Sequence, residues 1–239
     1  MRYLPLLLLL FACTCVSAQC NNSTELNQQA RTAYLTNDIA GWKEVLLKAK
    51  ALPDNPANQL EMARLGLGAA GTAMASQNDA FLSECLDLME DSLDKFWESD
   101  KKDPAANGLY SAYLGLLIAQ SPMKGMLYGS KSSKYATKGV SYDAKNPVAQ
   151  YCLGSNLFYT PETWGGDPEL AVEHLQAAIA TTNDEAGCDW FHLQTLALLG
   201  QAQSKAGDTA GARMTYLKAL ELEPEFGYVA KVLLPALSK

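Results

Sequence analysis

The chain is poor in the residues and motifs that most enzymes and metal sites need. It has two histidines in 239 residues, His174 and His192, and they lie in predicted helices of different pairs with no cluster of cysteines and histidines around them. The sequence contains no Cys-x-x-Cys pair, no glycine-rich phosphate loop and no Gly-x-Ser-x-Gly nucleophile turn. It therefore predicts no metal site, no cofactor and no catalytic residue, and we expect a protein that is not an enzyme.

An excess of basic residues is also missing. The chain has 19 Lys and Arg residues against 26 Asp and Glu residues, which gives a net charge of −7. Proteins that bind nucleic acid usually carry a basic footprint, so this balance argues against a nucleic-acid partner. Alternation of apolar and polar residues with a period of two is absent over any useful length, which leaves helices as the only regular structure that the sequence favours.

The first residues are typical of an export signal. A short basic start, Met1-Arg2-Tyr3, precedes an apolar run from Leu4 to Cys15 that is too short to span a membrane. We expect a signal peptide over 1–18, cleavage before Gln19, and a location in the periplasm or cell envelope. The alternative is a lipoprotein signal with lipid attached to Cys13, and a membrane partner is expected only in that case.

Removal of the signal would leave four cysteines, Cys20, Cys85, Cys152 and Cys188. An exported chain meets an oxidising compartment, where four cysteines allow three connectivities. If one disulfide forms, Cys152 with Cys188 is the pair we favour, because both fall near the starts of successive first helices. The alternative is that the cysteines are buried single thiols within helices.

Residues 19–239 are predicted to form a single all-α domain. Prolines and short polar turns divide it into antiparallel helix pairs, since a proline ends one helix and begins the next. The predicted helices are Glu25–Thr36 with Ile39–Leu52, Ala57–Gln77 with Asp79–Glu98, a helix from Pro104 with Met123–Asp143, a helix from Pro147 with Pro168–Thr182, and a fifth pair within 190–224. A closing helix is expected over Phe226–Leu237.

The last pair carries the spacing of a tetratricopeptide repeat. Gly200 and Ala212 allow two helices to approach closely, Tyr216 fills the wedge between them, Ala219 follows, and Pro224 ends the second helix. One such pair cannot bury its apolar face alone, so neighbouring repeats are implied. The resemblance to tetratricopeptide (TPR) proteins implies a right-handed α-solenoid of about five helix pairs with a C-terminal cap, in which 147–182 and 190–224 are the best repeats.

A long turn in the fourth pair extends this resemblance. The run from Phe158 to Asp167, FYTPETWGGD, resembles exported bacterial TPR proteins with a similar turn, and more distantly the T-component family of the tripartite periplasmic (TRAP) transporters. We interpret it as a structural turn in which Trp164 anchors the connection, Gly165 and Gly166 take positive φ, and Asp167 caps the next helix. The transporter resemblance implies an alternative function, a small-ligand-binding or transport accessory protein that forms a homo-oligomer.

The helix predicted over Met123–Asp143 has two side-chain stripes. Lysines recur every seven residues from Lys124 to Lys145, and tyrosines recur at the same period from Tyr128 to Tyr142. One interpretation is that the tyrosines border the buried seam and the lysines lie over them with their ammonium groups in water. The other is a basic and aromatic surface that binds an acidic peptide or a carboxylate ligand.

The resulting prediction is a non-enzymatic interaction protein that binds a protein or peptide partner on the concave surface of its solenoid. Solenoids offer extended concave surfaces, and tyrosines would supply contact area there. The candidate binding residues are Tyr110, Tyr113, Tyr128, Lys131, Tyr135, Lys138, Tyr142 and Tyr151.

Overall fold

The structure is a computed structural model that describes residues 24–180 and 188–238, and over these ranges it contains helices and turns but no strand. Ten helices form five antiparallel pairs, followed by a short helical segment, so the predicted fold class is confirmed. The helices are α1 Glu25–Thr36, α2 Ile39–Lys50, α3 Pro56–Ala75, α4 Asp79–Trp97, α5 Pro104–Gln120, α6 Gly125–Tyr142, α7 Pro147–Tyr159, α8 Pro168–Ala180, α9 Trp190–Lys205, α10 Thr209–Leu222 and α11 Leu234–Ala236.

Most of the helices begin at a polar side chain that accepts a hydrogen bond from a backbone N–H of the first turn. Such caps satisfy donors that the helix itself leaves unpaired, and a proline often follows at the first helical position, where its missing N–H costs nothing. The capping residues are Thr24, Asp38, Asn55, Asn78, Asp103, Asn146, Asp167, Asp189 and Asp208.

The α9–α10 pair packs as its repeat spacing predicts. The Tyr216 ring is 2% exposed and lies directly against the backbone at Gly200, where an added Cβ would overlap the ring. Ala212 and Ala219, on the same face of α10, are fully buried. The small residues thus set the distance between the two helices, and the tyrosine fills the space that they leave.

The first two pairs pack directly against the last one. The indole rings of Trp42 and Trp190 meet edge to face with their centroids 5.5 Å apart, and both side chains are fully buried. Gly68 of α3 lies beneath both indoles, and Tyr34 of α1 packs between Trp190 and Phe226 at centroid distances of 6.1 and 5.6 Å. The series of pairs therefore closes on itself, and its inner side is filled by its own aromatic side chains.

Ion pairs also link the first helices to the last pair. The Arg64 guanidinium is bonded to Glu61 at 2.8 Å and to Asp189 at 3.1 Å, and it lies 5.2 Å above the Trp190 ring. Arg64 therefore links α3 to the residue that caps α9. A second ion pair, between Arg31 of α1 and Glu223, joins the first helix to the end of α10.

Two local predictions are wrong. Trp164 is not an anchor, because its side chain is 74% exposed; the turn is held instead by backbone bonds, including Asp167 N to Leu157 O at 3.1 Å. In this turn only Gly165 has a positive φ, of 91°, whereas a side chain at Gly166 would overlap the Thr160 carbonyl. Close approach of the backbone thus explains the second glycine.

The closing helix predicted over Phe226–Leu237 is not a continuous α-helix. It consists of a π-helical stretch, Val229–Leu233, followed by α11. Pro235, within α11, has no N–H to donate to the Lys231 carbonyl four residues earlier, so one hydrogen bond of the regular α pattern is missing where the π-helical stretch meets α11.

The favoured disulfide is also wrong. Cys152 is a free thiol, 1% exposed within α7, and Cys85 is likewise free and buried. Cys188 is disulfide-bonded, but not to Cys152. Cys152 faces α5, where its side chain lies beside Gly108, and this packing makes it one of the buried single thiols of the alternative interpretation. Cys20 and the signal segment 1–18 lie outside the described residues.

Candidate binding surface

Small residues allow α6 to lie close against α5. Ser132, Ala136 and Gly139 are all buried along one face of α6. An added Cβ at Gly139 would lie 2.7 Å from the Pro104 carbonyl oxygen, and the Ser132 and Ser111 hydroxyls are 3.1 Å apart. The face of α6 opposite this contact is exposed to solvent. Lys131 and Tyr135, which lie between the two faces, contact Tyr110 of α5.

Four aromatic rings meet where α4, α5 and α6 join. Tyr110 is at the centre, with its ring centroid 4.5 Å from Trp97, 4.7 Å from Tyr135 and 5.7 Å from Tyr113. The Trp97 and Tyr110 rings meet edge to face, an arrangement that aromatic pairs favour. Tyr113 is nearly buried, and burial raises the pKa of its hydroxyl above the usual value, with a hydrogen bond to Glu90 adding to the shift.

Two lysine ammonium groups lie over this cluster. The Lys131 ammonium donates a hydrogen bond of 2.7 Å to the Tyr110 hydroxyl and lies 4.9 Å from the centroid of that ring. The Lys138 ammonium lies 5.1 Å from the Tyr135 ring centroid. The hydrogen bond to Tyr110 raises the pKa of Lys131, so its charge persists at all physiological pH values. We call Trp97, Tyr110, Lys131, Tyr135 and Lys138 the Lys/Tyr surface.

Three of the predicted residues lie elsewhere. Tyr128 is partly buried against the main core, and Tyr142, at the end of α6, is 40% exposed. Tyr151 is 4% exposed, accepts a hydrogen bond from Gln194, and packs against Phe191 with the ring centroids 4.7 Å apart. The predicted tyrosines therefore do not form one concave surface: Tyr151 belongs to the filled interior, whereas Tyr110 lies at the junction of the second and third pairs.

Sequence reasoning missed the contribution of Trp97. Trp97 is not among the predicted binding residues, yet its ring contacts both Tyr110 and Tyr135. Its indole N–H is buried and has no hydrogen-bond acceptor among the described residues. A tryptophan at the end of a helix, facing a tyrosine-rich neighbour, is the signal that could have indicated this role.

The histidines occupy ordinary packing positions. The His174 Nδ1 atom is 2.7 Å from the Gln150 side-chain oxygen, and burial lowers the pKa of this histidine. His192 is 4% exposed in α9, and burial lowers its pKa to about 4. Within the part of the chain that the structure describes, no three His, Cys, Asp or Glu side chains converge to hold a metal ion.

A cavity of about 330 Å³ lies elsewhere, between the end of α2 and the facing sides of α3 and α4. Its walls carry both signs of charge and one buried amide, that of Gln59, whose oxygen has no hydrogen-bond donor in the described ranges. None of the Lys/Tyr surface residues lines it. The lining residues are Lys50, Leu52, Asp54, Gln59, Met62, Leu88, Asp91, Ser92 and Lys95.

Comparison with known proteins adds little to this description. No protein-family model matches the chain, and no curated protein is detectably similar in sequence. Two solved structures, titled "Crystal structure of MamA" and "Crystal structure of MamA protein", are similar to it over 85% of this chain and 96% of theirs, each at 18% identity, with TM-scores of 0.41 and 0.39. Among the described helices, none is long and apolar enough to cross a membrane.

Proposed function

We propose that the protein is exported and acts as a non-enzymatic interaction protein that binds an acidic peptide, or an acidic segment of a protein partner, on the Lys/Tyr surface. The observation that carries the proposal is the pair of ammonium groups, of Lys131 and Lys138, held over tyrosine rings. We place the site at the junction of α4, α5 and α6 and not on the inner side of the solenoid, because buried indoles such as Trp42 and Trp190 fill that side.

The chemistry of this surface suits carboxylates. A lysine ammonium has three donors, and the Tyr110 hydroxyl takes one from the exposed Lys131, so donors remain for a ligand. Lys131 and Lys138 are seven residues apart on α6, which corresponds to about 10 Å along the helix axis. Carboxylates at that separation, such as those seven residues apart on a partner helix, would match both lysines. The partly exposed rings would supply apolar contact beside them.

Binding of an acidic peptide is tested with a fluorescent oligoglutamate peptide followed by anisotropy at low and moderate salt. We expect saturable binding that weakens with salt, falls roughly fivefold in Lys131→Gln and is lost in Lys131→Glu. Tyr135→Ala should weaken it as well, because the ring that holds Lys138 is removed. Lys218→Gln is the matched control, since Lys218 is an exposed lysine on α10, in a different helix pair. Equal loss in the control, or no binding by the wild type, would refute the proposal.

The mixed-charge cavity favours a second candidate, the binding of a small zwitterion such as an amino acid. Lys50 and Lys95 would face a carboxylate, and Asp54 and Asp91 an ammonium group. Thermal unfolding with a panel of amino acids tests this idea. A ligand-dependent rise in the unfolding temperature that disappears in Asp91→Asn would support it, and no rise with any member of the panel would eliminate it.

A further inference from the structure

The outer end of the α5–α6 hairpin exposes apolar side chains that nothing in the described structure covers. Met123, Met126 and Leu127 are 87%, 90% and 68% exposed. They occupy the turn after α5 and the first turn of α6, so they project from the end of the hairpin. Single exposed apolar residues are common on protein surfaces, but three within five positions form a patch that indicates a contact site.

The charge around this patch is the reverse of that of the whole protein. From Pro104 to Tyr142 the sequence has four lysines and no aspartate or glutamate, although the chain as a whole carries 26 acidic residues. Lys124 adjoins the exposed methionines, and the exposed Lys134 lies about two turns after Leu127 along α6. A Gln120–Ser83 hydrogen bond of 3.2 Å links this hairpin to α4, which is rich in acidic residues, and the next residue of α4, Glu84, is paired with Lys43.

We infer that the end of the α5–α6 hairpin docks on a membrane surface that contains anionic lipid. Met123, Met126 and Leu127 would enter the boundary between headgroups and acyl chains, while Lys124 and Lys134 would contact the lipid phosphates. Lysine stems can lie along the apolar layer while their ammonium groups remain in the headgroup region. This contact is separate from the Lys/Tyr surface and does not require a lipid anchor.

Two features favour lipid over an acidic protein as the occupant. The patch is the protruding end of a hairpin, and its unbranched methionines have the freedom to adapt to a disordered phase. Outside the Lys/Tyr surface, the exposed positions of α6 behind the patch, over 130–141, are Ser130, Lys134, Thr137 and Ser141, a composition without acidic residues that suits contact with many equivalent phosphates.

The experiment is flotation of the mature protein, residues 19–239, with vesicles of phosphatidylglycerol or of phosphatidylcholine, so that the apolar segment 1–18 cannot itself bind the lipid. The wild type should float with phosphatidylglycerol vesicles and far less with phosphatidylcholine, and high salt should weaken its binding. Met126→Ser should reduce the affinity roughly tenfold. Lys124→Gln combined with Lys134→Gln should reduce it roughly twenty-five-fold, about fivefold for each lysine.

Matched controls separate the hairpin from the general surface. Met214→Ser alters a methionine that is 73% exposed on α10, and Lys101→Gln with Lys102→Gln removes two exposed lysines from the other end of the hairpin. Neither control should change vesicle binding. No flotation, equal binding to both lipids, or equal losses in test and control variants would overturn the inference, as would hairpin-dependent binding only to a protein. The oligoglutamate assay uses Lys131 and Tyr135, which these variants retain, so the two proposals can fail separately.

Discussion

Two glycines on one helix give opposite predictions for the same substitution. Gly68 and Gly71 are three residues apart in α3. An alanine Cβ at Gly68 would lie 2.7 Å from a Trp190 ring atom and 2.7 Å from a Trp42 ring atom, whereas one at Gly71 would have no described atom outside its own helix within 4 Å. Gly68→Ala should therefore destabilise the fold, and Gly71→Ala should stabilise it.

The magnitude follows from contact distances and helix propensity. Carbon atoms pack at about 3.5–4.0 Å, so Gly68→Ala requires two fully buried indoles to move apart by about 1 Å. Overpacking of this kind costs about 1–3 kcal/mol, against a gain of about 0.5–1 kcal/mol for replacing glycine within a helix. We expect a net loss of about 1–2 kcal/mol at Gly68, and a net gain of about 0.5–1 kcal/mol at Gly71.

The assay is equilibrium unfolding in urea, with thermal unfolding as a second measure. For a chain of this size, the loss at Gly68 corresponds to a decrease of roughly 3–6 °C in the unfolding temperature. Trp190→Phe combined with Gly68→Ala should cost less than the sum of the two single changes, because the smaller ring makes room for the methyl group. If Gly68→Ala is as stable as the wild type while Gly71→Ala behaves as expected, the closure between the first and last pairs is not packed as described.

Two further predictions concern the fifth pair. Gly200→Ala would bring a methyl group into overlap with the Tyr216 ring and should lower the free energy of unfolding in urea by about 2 kcal/mol. Gly129→Ala, at an open position of α6, should not destabilise the protein. His192 should make stability depend on pH. Because burial lowers its pKa to about 4, from 6.5 in the unfolded chain, the unfolded state takes up a proton first. The contribution of neutral His192 to the free energy of unfolding is fully present above pH 6.5. It should be lost, by about 3 kcal/mol, as the pH decreases to about 4.

Specific results would contradict these two predictions. Gly200→Ala with unchanged stability would mean that Tyr216 can leave the wedge at no cost. For the histidine, His192→Gln is the comparison, since it removes this titration and leaves all the carboxylates. If the variant and the wild type lose equal stability between pH 6.5 and 4, His192 is not the group responsible.

The helix boundaries could be predicted from the sequence because they depend on residues close to them in the chain. Asp208 before α10 and Pro147 at the start of α7 determine where helices begin through groups within four residues of them. The α9–α10 wedge was predictable for the same reason, because Gly200 and Tyr216 belong to adjacent helices joined by a short turn. Pattern and capping rules are sufficient at that range.

The closure and the exact form of the site depend on contacts between distant residues. Nothing near Gly68 indicates that Trp190, more than a hundred residues later, covers it. The Lys131–Tyr110 bond could not be read from the heptad spacing, because that spacing fixes only which residues share a face of α6. Trp164 was predicted to anchor its turn because tryptophan side chains are usually buried. In the structure, backbone hydrogen bonds hold this turn and the Trp164 side chain is exposed.

The contact of α1 and α3 with α9 sets a limit on how this protein can vary. An open repeat array is nearly one-dimensional, so repeats can be added or deleted at its ends and the array can unfold stepwise. Here the loss of one pair would expose Trp42 and Trp190 together, and an inserted pair would move Arg64 away from Asp189. The number of pairs is therefore fixed by the geometry of closure, and the five pairs should melt together in a single cooperative transition.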